Sequence, residues 1–197
     1  MSTNPSPEAL PEPIYDVAIG AYKVAAYDGL IGPADIVKLN RALYQSSYTR
    51  SEYARPDTQD FRHWAVPIDL GMAQAMPIHA PALTALRQFD PAHRYRMYRC
   101  YVNVAQYGDM LFSHTDCEPG SGELTGLWYI CEHWDPEWGG ETMFFDHNMD
   151  VRAAIQPRPA RFAVFNGEIP HVGRPPNRVC YASRFTLAMK FERVGAA

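Results

Sequence analysis

From residue 94 onward the sequence breaks into short runs rich in aromatic and β-branched residues: "RYRMYRCYVNVAQY", "LTGLWYIC", "ETMFFD", "RFAVFNG" and "SRFTLAMKFE". Gly, Pro or Asp punctuate them, so they read as strands. Ahead of them, "YKVAAYDGLIGPADIVKLNRALYQ" reads as a short strand, a turn at Asp28-Gly29 and a helix. Pro33 suits a first helical turn, Ile36, Leu39 and Leu43 recur at helical spacing, and "APALTALRQF" (80–89) forms a second helix. The stretch "RSEYARPDTQDFRHWAVPID" (50–69) has no periodicity and reads as loop with a short strand. Helices first and strands later predict a mainly β, antiparallel structure buttressed by N-terminal helices. The economical architecture is a jelly roll, or double-stranded β-helix, with those helices packed against the larger sheet. About eight short strands then enclose a cavity without a long exposed edge.

The chain of 197 residues fits one domain with a sizeable core. Residues 1–13, rich in Pro, Ser and Glu, read as a flexible tail, and 14–197 as a single domain. The N-terminus has neither a basic nor an apolar signal region, and no apolar run is long enough to span a bilayer. The expectation is a cytoplasmic protein without a membrane partner. A net charge of −4 gives no footprint for nucleic acid. The four cysteines (Cys100, Cys117, Cys131, Cys180) show no metal-finger spacing and read as buried free thiols.

The stretch "LFSHTDCEPGSGELTGLWYIC" (111–131) places His114 and Asp116 two positions apart, on one face of an extended segment. Among the seven histidines, His171 has the setting of a second ligand. It follows an apolar strand and the Asn166-Gly167 turn, in "PHVG". Two imidazoles and one carboxylate, with the other positions open, suit a redox-active ferrous ion. Zinc accepts the same ligands, and a lone H-x-D is weak evidence. His63, His79 and His93 lie in polar, loop-like settings, and His133 and His147 are expected to face solvent.

The last strand adds a second constraint. Alternation in "SRFTLAMKFE" sets Phe185, Leu187, Met189 and Phe191 on one face and Arg184, Thr186, Ala188 and Lys190 on the other. If the second face lines the barrel, the Arg184 charge needs a partner, and a carboxylate ligand fits its fork. Arg174 and Arg178 compete for that role, but a strand pre-organises a guanidinium better than a loop does.

These residues resemble the 2-oxoglutarate- and iron(II)-dependent dioxygenases, in their prolyl-4-hydroxylase-like branch, over about residues 99–191. "YGDMLFSHTD" looks like the segment that delivers the first His and Asp of the iron triad. "LTGLWYI" looks like the strand whose Tyr, here Tyr129, binds the distal carboxylate of 2-oxoglutarate. "WDPEWGGET" resembles the family's Gly-Gly-Glu-Thr turn, "PHVGRPP" the segment with the distal His, and "SRFTLAMKF" the strand with the co-substrate Arg. The interval from His171 to Arg184 is longer than is usual in this branch. The resemblance implies Fe(II) on His114, Asp116 and His171, and 2-oxoglutarate held by Arg184, Tyr129 and Thr186. It further implies O₂ as oxidant, ascorbate as an optional reductant, release of succinate and CO₂, and hydroxylation of an unactivated C–H. Asp116 argues against the halogenating relatives, which have a small residue there.

For the substrate, a compact chain without a recognition domain favours a small molecule such as an amino acid or a natural-product intermediate. A prolyl residue in a peptide or protein is the alternative. So is a cupin-like metal-binding jelly roll without 2-oxoglutarate chemistry. Candidate pocket residues are Arg62, His63, Trp64, Arg96, Tyr98, Asn103, Trp134 and Trp138.

Overall fold

The computed structural model of the chain describes residues 12–196. Residues 1–11 of the expected tail therefore lie outside the described residues. Two strands, β1 (Tyr15–Ile19) and β2 (Tyr22–Tyr27), precede helix α1 (Pro33–Tyr44). Strands β3 (Thr49–Glu52) and β4 (His63–Ile68) follow, then helices α2 (Leu70–Ala75) and α3 (His79–Phe89). The remaining strands are β5 (His93–Ala105), β6 (Leu124–Tyr129), β7 (Thr142–Phe145), β8 (Val151–Ile155), β9 (Phe162–Asn166), β10 (His171–Gly173) and β11 (Arg184–Ala196).

They form an eight-stranded antiparallel sheet in the order β1-β2-β9-β6-β11-β5-β4-β3, faced by a three-stranded sheet, β10-β7-β8. This is the jelly roll expected from the C-terminal half. The short strand expected ahead of the Asp28-Gly29 turn is β2, and the N-terminal half adds β1 beside it and β3 and β4 on the other side, so it supplies both edges of the large sheet as well as the helices. The 50–69 stretch holds two strands rather than one. Its outward side chains are polar or aromatic, so the alternation that marks a half-buried strand is blurred.

The helices form for local reasons. Pro33 opens α1 after Gly32, with Asp35 in the first turn and Arg41 in the last, where each complements the helix dipole. Asp69 caps α2 by accepting a bond from the Met72 amide at 3.1 Å. α1 is tied to the sheet by Asn40, whose side chain donates to the Ile130 carbonyl at 3.0 Å.

Two cores result, one on each face of the large sheet. The outer core joins Ile36 and Leu43 of α1, and Ala82, Leu86 and Phe89 of α3, to Val102, Leu187, Met189 and Phe191. The inner core, between the sheets, joins Val24, Ala26, Tyr129, Ala163 and Phe165 to Phe144, Ala153 and Ile155. Burying each of these large side chains contributes roughly 1.5–3 kcal/mol. Cys100, Cys131 and Cys180 are buried free thiols, as expected, while Cys117 is half-buried and also free. No helix among the described residues is long and apolar enough to cross a membrane.

The outer core is packed closely enough to require a glycine in β6. A Cβ on Gly126 would sit 2.7 Å from the Phe162 ring and 3.2 Å from the Phe191 ring. Both rings are fully buried and have nowhere to move. Gly126→Ala is therefore expected to destabilise the protein by about 1–3 kcal/mol through overpacking, read as a lower urea midpoint at unchanged slope.

Candidate metal and co-substrate site

β11 sits between β5 and β6 in the large sheet, and its alternation divides the two cores. Phe185, Leu187, Met189 and Phe191 enter the outer core. Arg184, Thr186, Ala188 and Lys190 line a cavity of about 660 Å³, its open mouth included. The other walls carry Tyr101 and Asn103 of β5, Thr125 and Leu127 of β6, Thr142, Phe165 and His171, together with His114 and Asp116.

Backbone pairing brings the H-x-D segment to β10. His114 and His171 exchange both amide-to-carbonyl hydrogen bonds, at 3.0 and 2.9 Å, and the Asp116 amide donates to the Gly167 carbonyl at 2.7 Å. This double tether puts one candidate ligand atom from each of His114, Asp116 and His171 within 4.8 Å of the others. Each imidazole has its Nδ1 against a backbone carbonyl, Phe112 at 3.1 Å for His114 and Ile169 at 2.9 Å for His171. A carbonyl only accepts, so Nδ1 carries the proton and Nε2 is left with its lone pair facing the carboxylate. The Nε2 atoms lie 3.4 and 3.5 Å from the Asp116 oxygens.

The electrostatics suit a cation. Burial pushes the His171 imidazole down to about 4, so it is neutral near pH 7. Burial alone would raise the Asp116 carboxyl, but the Lys190 ammonium and then the two imidazoles outweigh it and hold the group well below the usual range. Two imidazole Nε2 atoms beside an ionised carboxylate form a donor set that fits Fe(II).

Arg184 is 4% exposed, and no carboxylate pairs with it among the described residues. Its Nε donates to the Gly140 carbonyl at 2.6 Å and its Nη2 to Thr142 Oγ1 at 2.9 Å. Burial draws its proton affinity down from the ordinary value. The Tyr129 hydroxyl donates to the same Thr142 oxygen at 2.7 Å, and the Tyr129 ring centre is 5.5 Å from the guanidinium carbon. Two glycines make room for the fork. A Cβ on Gly173 would stand 3.2 Å from both terminal nitrogens, and one on Gly140 would stand 3.2 Å from Cδ. Gly139 and Gly140 both have positive φ, which is the physical content of the Gly-Gly pair in "WGGET". A buried guanidinium whose only acceptors are neutral fits an anionic ligand. Asn103 Oδ1, buried without a partner on the same wall, is a further unsatisfied group.

Among the pocket residues named from the sequence, His63 and Asn103 line the cavity. His63 sits on β4 rather than in a loop. Arg62 and Trp64 are exposed, Arg96 pairs with Glu192 across β11, and Tyr98 bonds Glu123 at 2.6 Å. Trp134 and Trp138 pack with Cys131 and Cys180 in a separate small cluster. Arg174 and Arg178 are both exposed, which leaves Arg184 alone of the three in the cavity. His133 and His147 face solvent, as expected. Sequence reasoning assigned no role to Lys190 or Thr125, although both touch Asp116. The signal available was the alternation of β11, which sets Lys190 on the face of Arg184.

A family model described as "2OG-Fe(II) oxygenase superfamily" matches residues 102–191. No curated protein matches the chain in sequence. Among solved structures, the fold is similar to a prolyl-4-hydroxylase from Pseudomonas putida at 19% identity and TM-score 0.61, covering 87% of this chain and 93% of that one. It is similar to a prolyl hydroxylase from Trichoplax adhaerens, solved with a hypoxia inducible factor oxygen degradation domain peptide fragment. There the identity is 16% and the TM-score 0.66, with 86% and 83% of the chains covered. It is also similar to HygX from Streptomyces hygroscopicus, solved with nickel, 2-oxoglutarate and hygromycin B, at 12% identity and TM-score 0.63 over 86% and 82%.

The depressed His171 imidazole has a consequence for the metal-free protein. Between its unfolded value near 6.5 and its folded value of about 4, the unfolded chain binds more protons, so stability falls as pH drops through that window. Denaturant titrations at pH 7 and pH 5 are expected to show a loss on the order of 2 kcal/mol. His171→Asn is expected to flatten that dependence.

Proposed function

We propose that this chain is an oxygenase that uses Fe(II), 2-oxoglutarate and O₂, a reading supported by the family-model match over residues 102–191, that His114, Asp116 and His171 hold its iron, and that Arg184, Thr186 and Tyr129 hold its co-substrate. The observation that carries the second half is the buried Arg184 guanidinium, bonded only to neutral acceptors. The distal carboxylate of 2-oxoglutarate supplies the missing charge in a bidentate, charge-assisted pair. Thr186, two residues along the same face and 3% exposed, offers its hydroxyl to the same ligand. The Tyr129 hydroxyl, which shares Thr142 Oγ1 with the Arg184 fork, stands beside the same ligand site. The bound iron supplies O₂ activation coupled to oxidative decarboxylation of 2-oxoglutarate, giving succinate, CO₂ and an oxidant strong enough for an unactivated C–H. The protein's part is to hold each Nδ1 against a backbone carbonyl so that both Nε2 atoms are aimed, and to exclude water.

The substrate we infer is a small molecule that is hydroxylated. Support comes from the mouth of the cavity, which is narrowed by two segments tied to each other. The Arg55 guanidinium donates to the Ser113 carbonyl, and the Phe61 and Phe112 rings pack with centroids 5.3 Å apart. Ala54, His63, Leu111 and Phe112, on or beside these tied segments, are among the residues lining the cavity, and a pocket bounded by linked segments suits a small ligand.

Succinate formation measured with Fe(II), 2-oxoglutarate and panels of free amino acids, other small metabolites and proline-containing peptides tests both statements. The expected result is turnover stimulated by a member of the small-molecule panels and abolished in His114→Ala and Asp116→Ala. Stimulation by peptides alone overturns the substrate class. An active His114→Ala or Asp116→Ala protein overturns the ligand assignment. Arg184→Ala is expected to raise the KM for 2-oxoglutarate by on the order of 100-fold.

A further inference from the structure

Lys190 is a buried cation that the co-substrate clamp does not use. It is 6% exposed, near the far end of the cavity face of β11 from Arg184. Its Nζ lies against Asp116 Oδ2, and 3.1 Å from Thr125 Oγ1. Thr125 stands directly opposite Lys190 across the β6–β11 ladder, so both point to the same side of the sheet. The Thr125 hydroxyl donates to the same carboxylate oxygen, Oδ2, at 2.6 Å. One oxygen of Asp116 is thus held by two donors from two adjacent strands. The other, Oδ1, has neither of them and lies 3.4 Å from His114 Nε2, while Oδ2 lies 3.5 Å from His171 Nε2.

We propose that Lys190 and Thr125 are positioning residues that engage Asp116 Oδ2 and so present Oδ1 alone to the metal. The inference rests on the reading of His114, Asp116 and His171 as the iron ligands. A carboxylate can chelate a divalent ion with both oxygens. Two imidazoles, a chelating carboxylate and a chelating 2-oxoacid would fill an octahedral sphere and leave no position for O₂. With Oδ2 committed to an ammonium and a hydroxyl, the carboxylate takes one position and one remains open. Hydrogen-bonded partners of a ligating carboxylate orient it and tune the metal. The buried ammonium is costly to place and is retained with its counter-charge beside it, which is what a positioning role requires.

The test uses Lys190→Met, Lys190→Arg and Thr125→Val in the full chain. Lys190→Met keeps the length of the side chain and removes the donors, Lys190→Arg keeps donors and charge, and Thr125→Val is near-isosteric. Two readouts other than turnover are taken: Mn(II) affinity from the electron paramagnetic resonance of free Mn(II), and nitric oxide binding to the Fe(II)–2-oxoglutarate protein under anaerobic conditions. Nitric oxide reports whether a position stays open. The expected result is a reduced nitric oxide signal in Lys190→Met and Thr125→Val, with Mn(II) bound at least as tightly because Oδ2 is freed to chelate, and both values restored in large part by Lys190→Arg. Wild-type values in Lys190→Met and Thr125→Val overturn the inference. So does tighter Mn(II) binding in Lys190→Met with a wild-type nitric oxide signal, which would make Lys190 a repelling charge and nothing more. If Lys190→Met does not fold, Thr125→Val and Lys190→Arg decide the matter by the same two readouts. A wild-type protein that binds no Mn(II) overturns the iron-site reading itself, and this inference with it.

Discussion

The two-faced alternation of β11 is the constraint on which the rest of the structure depends. Held between β5 and β6, it sends Phe185, Leu187, Met189 and Phe191 into the helix-covered core and Arg184, Thr186, Ala188 and Lys190 into the cavity. A slip of one residue in its register would exchange the two sets, putting two cations among the helices and four large apolar side chains into the cavity. The outer core therefore fixes the register, and the register places the chemistry. Stability and function are tied to the same hydrogen-bond ladder.

The cavity is electrostatically lopsided. Among its described lining residues are two buried cations, Arg184 and Lys190, and one carboxylate, Asp116. Lys190 takes the carboxylate, which leaves Arg184 with neutral acceptors. The surroundings are shaped to tolerate that. Gly140 and Gly173 clear space around the fork, and Thr142 links it to the Tyr129 hydroxyl. Burying a charge without a counter-ion is costly, and a site that keeps one is built for a ligand that carries the opposite charge. At the other end, the mutual backbone bonds of His114 and His171 hold two imidazoles whose Nδ1 protons are already committed. Neither imidazole has to reorganise to offer its Nε2 atom.

Much of this was legible in the sequence, for reasons that are local. Strict alternation in "SRFTLAMKFE" separated the two faces of β11, and the i, i+2 spacing of His114 and Asp116 put both on one side of an extended segment. Pro33 and the Ile36, Leu39 and Leu43 spacing marked α1. What escaped depended on distant partners. The alternation set Lys190 on the face of Arg184, but its partners appear only when β6 brings Thr125 opposite it and the H-x-D segment folds over both. His63 sits in a strand whose neighbours Arg62 and Trp64 are exposed, so no apolar period marked it. β1 and the additional strand of the 50–69 stretch were masked in the same way, because strands at a sheet edge need not alternate cleanly.

The central claim is that this cavity binds 2-oxoglutarate between a metal on His114, Asp116 and His171 and the guanidinium of Arg184. The most direct measurement is an anaerobic titration of the Fe(II)-loaded protein with 2-oxoglutarate, followed by the visible charge-transfer absorption of the metal–2-oxoacid chelate. The account predicts a saturable band with one equivalent of 2-oxoglutarate per chain, whose half-saturation moves to much higher concentration in Arg184→Ala and which is lost in His171→Ala. Absence of the band in the wild-type protein, or a titration unchanged by Arg184→Ala, would contradict it.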